Sequence, residues 1–164
     1  MKISKKEKSE SARVAHLIKK VDAIDGVYVN EESDKIAQKH PFLISMLLGY
    51  RLDLKPTELE EMMRIIFLIW EYFKDLKQMG NSKITMAQFE KIKLRNITLL
   101  KYLEDEQSSE GMFTTVESDL DHLKSKALFT GVLFQMNHKK ALLEMKSELK
   151  GNAVFRHAKF GGVF

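Results

Sequence analysis

The chain contains no cysteine, two prolines and eight glycines in 164 residues. The missing thiol removes disulfides, thiolate zinc sites, iron–sulfur clusters and cysteine nucleophiles together, so the protein needs no oxidising compartment. So few glycines and prolines exclude collagen-like and low-complexity chains, and 44% apolar residues exclude wholesale disorder. Long apolar runs are also missing. The most apolar run, Ile65 to Trp70, is bounded by Arg64 and Glu71 and falls far short of the ~20 residues a membrane span requires. Lys2, Lys5, Lys6 and Lys8 lead into no apolar stretch, so the N-terminus is not a secretory signal. No membrane partner is implied, and a cytoplasmic location is expected.

Signature loops are absent as well. There is no GxxxxGK[ST] and no GxSxG, and Gly161-Gly162 follows no strand and opens no helix. Nothing in the sequence points to a nucleotide or other cofactor.

What is present is a chain of 19.0 kDa, sufficient for one domain with its own core. The net charge of +4 conceals a segregation: residues 1–20 carry +5, residues 21–121 carry −7 and residues 122–164 carry +6. Mutual neutralisation of these blocks within the fold accounts for this more simply than a nucleic-acid partner does.

Apolar spacing is helical nearly everywhere, and strand-like alternation is almost absent. Residues 1–10 read as a flexible basic arm. A first helix is expected from about Ser11 to Asp25, closed by Gly26 in a left-handed conformation. Val27 to Val29 read as an extended link, and Asn30 as the cap of a short helix that stops before His40-Pro41. Pro41 opens the next helix, to about Leu52, and Pro56 opens another to Met79. The run MMRIIFLIWEYF is apolar on almost every face, which marks a central helix with Phe67, Trp70 and Phe73 as anchors. Thr85 caps a helix reaching about Glu106, and a last long helix spans about Val116 to Lys150. The fold class is therefore all-α, a single-domain bundle of five or six helices with a buried central helix. Residues 11–152 form the helical domain, and 153–164 an apolar and basic tail.

Candidate chemistry is sparse. A carboxylate-bridged di-metal bundle needs paired Glu-x-x-His elements. Only Asp119-Leu120-Asp121-His122 comes near one, and His138, on the same expected helix, lies about 160° around the axis from His122. His138 reads as a hydrogen-bonded core or boundary residue, and His40 as the cap of the Pro41 helix. The Glu117, Asp119 and Asp121 cluster reads as a helix opening stabilised by the dipole. No catalytic, cofactor or metal residue is assigned.

Lys91, Lys93 and Arg95, on the helix after Gly80, are the candidate nucleic-acid contacts, since a helix-turn-helix places such a helix in the major groove. A continuous helix over 116–150 would be roughly 50 Å long, whereas a domain of this size is about 40 Å across. Either the helix breaks near Gly131 or Asn137, or its end projects. In the second case Leu142, Met145, Leu149, Phe155, Phe160 and Phe164 are the candidate interface of a homodimer. The leading expectation is a non-enzymatic interaction or assembly protein with a protein partner or a second copy. The alternatives are a nucleic-acid-binding regulator, and a helical enzyme or small-ligand binder with an unrecognised site.

Overall fold

The computed structural model describes residues 4–74, 85–105 and 123–145, and these are all-α. The helices are α1 (Lys5–Asp22), α2 (Gly26–Lys39), α3 (Pro41–Tyr50), α4 (Pro56–Phe73), α5 (Met86–Asp105), α6 (Lys126–His138) and α7 (Lys140–Leu143).

Most boundaries follow from capping chemistry. Pro41 and Pro56 each occupy the first helical position, where a missing N–H costs nothing, and His40 separates α2 from α3 as expected. Thr85 and Gln88 hydrogen-bond reciprocally at the start of α5. Two boundaries near the N-terminus differ from expectation. Residues 5–10 are helical rather than an arm, because Ser4 and Glu7 form a capping box: the Glu7 amide donates to Ser4 Oγ, and the Ser4 amide to Glu7 Oε2 at 2.7 Å. Gly26 does not end the first helix either. Asp25 accepts the Tyr28 amide at 2.9 Å and caps α2, so Val27 to Val29 are helical and Gly26 is the first residue of that helix.

The largest correction concerns the last helix. Residues 123–125 are not helical, and Ser125, accepting the Leu128 amide at 2.9 Å, starts a helix that ends at His138. Lys139 turns extended and a single turn, α7, follows. The interruption lies next to the expected Asn137, and its cause is tertiary. Lys139 Nζ pairs with Asp22 at 2.7 Å, and the re-aimed chain buries Leu142 and Met145.

Helix α4 packs against α1, α3, α6 and α7, and every residue from Ile65 to Phe73 is buried, the three aromatic anchors included. Each large apolar side chain so buried is worth roughly 1.5–3 kcal/mol. Two arginines close helix ends: Arg64 donates to the carbonyls of Val21 and Asp22, and Arg13 to that of Tyr72 at 2.8 Å.

Candidate functional site

Two places in the fold gather polar or accessible chemistry. The first lies in the core, at Glu71, a carboxylate 3% exposed in the middle of the apolar stretch of α4. It accepts hydrogen bonds from Lys20 at 2.6 Å, from Lys74 and from the Tyr28 hydroxyl, so that α1, α2 and α4 meet on one side chain. Glu32, on α2, is buried beside it, accepts from Lys35 at 2.7 Å and from the Trp70 indole at 2.5 Å, and lies 3.6 Å from Lys74. Burial pushes both carboxyls up, yet the hydrogen bonds, from Lys20, Lys74 and Tyr28 on Glu71 and from Lys35 and Trp70 on Glu32, outweigh it and hold both below the usual carboxylate value. Burial, together with the hydrogen bond to Glu71, pushes the Tyr28 phenol far up. Burial also lowers His40, with Lys39 adding to it, and His40 stands edge-on to Trp70. The arrangement favours ionised carboxyls and a protonated phenol. It fastens three helices, and none of its members lines the groove described next.

The second place is a groove of about 1030 Å³ between α1 and α6. Within it Gly131 lets the two helices approach closely: a Cβ there would stand 2.6 Å from Val14 Cγ1. Above that contact the floor is apolar, with Val14, Ala15 and Ile18 from α1 and Ala127, Gly131 and Phe134 from α6. These recur at the three- and four-residue spacing that puts them on one face of each helix. Phe134 is 48% exposed. The charged lining consists of Lys6, Lys19, Lys124 and Lys126 against Glu7 and Glu10. Both acids are engaged: Glu7 in its capping box, whose bonds from Ser4 lower its pKa, and Glu10 as acceptor of the Tyr72 hydroxyl.

The residues singled out from sequence are scattered. Lys91 and Arg95 lie exposed, one turn apart on α5; the side chain of Lys93 lies outside the described ones. Leu142 and Met145, two of the candidate interface residues, are 0% and 4% exposed within their own chain. Leu149, Phe155, Phe160 and Phe164 lie outside the described residues, as do Asp119 and His122. His138 is exposed rather than in the core, stacked on Phe134 with ring centroids 3.8 Å apart, and its Nδ1 pairs with the Phe134 carbonyl at 3.0 Å. Among the described residues no three His, Asp or Glu side chains converge on one point, and no helix is long and apolar enough to cross a membrane.

Sequence reasoning missed both places. Glu71 carried a legible signal, an ionisable residue inside a helix that is apolar all round, where a charge must find partners. The groove carried none, because it depends on which two faces the fold sets side by side. Compared with protein-family models, with curated proteins and with solved structures, the chain finds no match.

Proposed function

We propose that the protein is a non-enzymatic helical interaction protein whose docking face is the α1/α6 groove, which receives an amphipathic helix of a partner protein. The groove itself carries this reading: an apolar floor along a helix pair, open to solvent and edged by charge, is how helix-in-groove recognition is built. The state of the core agrees with it. The buried carboxylates are held by lysines on their own chain, away from the groove, and serve the packing of α1, α2 and α4.

An apolar fluorescent dye of the anilinonaphthalene sulfonate type tests the docking face on the full chain. It should bind at about one per chain, since a pocket of this kind buries most of a small apolar ligand. Ala15→Gln and Thr130→Gln, both at exposed positions of the lining, should weaken it without altering circular dichroism. Absence of binding, or binding indifferent to these substitutions, overturns the reading. Light scattering coupled to size exclusion, giving twice the chain mass, would make the partner a second copy.

A further inference from the structure

Resting on the docking reading above, we infer that the partner helix is acidic: the α1/α6 groove selects an amphipathic helix with carboxylates flanking its apolar stripe. The length of the groove fixes the first half of this. On α1 the lining extends from Ser4 to Lys19, about 22 Å along the axis, or four turns. A helix lying in the valley over Gly131 presents apolar side chains at i, i+3 or i+4, i+7 and i+11 to Val14, Ala15 and Ile18 on one wall and Ala127 and Phe134 on the other.

The rim fixes the second half. Lys6 and Lys19 stand toward the two ends of the α1 wall, and Lys124 and Lys126 at the start of the α6 wall, all four exposed. Among the described residues Lys6, Lys19 and Lys124 form no ion pair; the two lining carboxylates, Glu7, which Lys126 also attracts, and Glu10, offset half of the four ammonium charges and leave the rim at +2. A helix edged with lysines would bring like charge to this rim; one edged with glutamates neutralises it, which sets specificity and association rate more than raw affinity. Charge also argues against residues 146–164 as the occupant, since Lys146, Lys150, Arg156 and Lys159 stand there against Glu148 alone. It does not argue against the acidic residues 106–122, whose occupation of the groove would show as failure of every peptide to bind and would overturn the inference.

The test titrates the full chain with three fluorescein-labelled peptides of about sixteen residues. One is an amphipathic peptide with leucine at the four stripe positions and glutamate on the flanks. The second has the glutamates replaced by lysine, and the third is a scramble of the first. Anisotropy should show the glutamate peptide binding at least about tenfold tighter than either control at low salt, with the gap over the lysine peptide closing as salt rises. Lys19→Glu combined with Lys124→Glu should invert the preference, and Ala15→Gln should weaken every peptide. Equal binding of the glutamate and lysine peptides, or a preference that survives the charge reversal, overturns the acidic assignment while leaving dye binding intact. Anionic phospholipid vesicles serve as a further arm: if they bind and the glutamate peptide does not, the groove takes lipid and the inference is wrong.

Discussion

Replacing Gly131 by alanine sets two effects of known sign against each other. Alanine is the better helix former in the middle of α6, by roughly 1 kcal/mol. At this position, however, the added methyl would stand 2.6 Å from Val14 Cγ1 and 3.4 Å from Ile18 Cδ1. Ordinary carbon contacts lie at about 3.5–4.0 Å, so the overlap with Val14 is roughly 1 Å. The Ile18 contact can yield at the end of a flexible side chain, but Val14 is β-branched, 3% exposed and held to one preferred helical rotamer. The helices must therefore separate, at an overpacking cost of about 1–3 kcal/mol. The expected net effect of G131A is a loss of about 1 kcal/mol after subtracting the propensity gain. Gly49 on α3 supplies the control, because nothing lies within 4 Å of a Cβ built there. G49A should gain up to about 1 kcal/mol. The two variants should thus differ by roughly 2 kcal/mol, or about 4–8 °C in Tm for a chain of this size. Denaturant titration followed by circular dichroism reads both. In a Val14→Ala background the penalty of G131A should largely vanish, a coupling of about 0.5–3 kcal/mol. A G131A protein as stabilised as G49A would refute the close approach of α1 and α6, and the groove with it.

Two further outcomes follow from the core. Leu142→Ala should cost about 2–5 kcal/mol, because its side chain is fully buried, whereas the neighbouring Leu143, half exposed, should cost far less; equal losses would contradict the turn at Lys139. Stability should also fall with acid in two stages. His40 has a lowered folded pKa, so the stability it contributes is present above its ordinary 6.5 and is lost as pH falls below that value. Glu32 and Glu71 are lowered too, so their contribution is present above 4.5 and is lost as pH drops through their folded values. Urea midpoints measured across pH check this: His40→Gln should remove the upper stage and Glu71→Gln should shrink the lower one, and an unchanged profile in either variant would count against the assignment.

The sequence by itself determined the all-α class and those helix starts whose cause is local. Proline at 41 and 56 has a fixed φ and no N–H to satisfy, so α3 and α4 begin there in almost any context. The Ser4/Glu7 box is equally local, three residues apart, and was legible beneath the lysines that make 1–10 read as an arm. At Asp25-Gly26 two local signals compete, glycine as a helix end and aspartate as a helix cap, and the cap prevails.

Tertiary structure alone decided the rest. No glycine or proline marks Lys139, and the helix stops there because Asp22, 117 positions away in sequence, pairs with its ammonium group while the turn that follows packs Leu142 against α4 and Met145 is buried. Glu32 and Glu71 come within reach of one lysine because side chains of α2, Tyr28 and Glu32, reach across to α4, a fact no helical period contains. The groove has the same origin. Periodicity marks an apolar stripe on α1 and another on α6, but a stripe is a core face or a docking face according to what the fold lays over it. That depends on the separation of helices joined only through distant chain, which here is set by the absent side chain of Gly131.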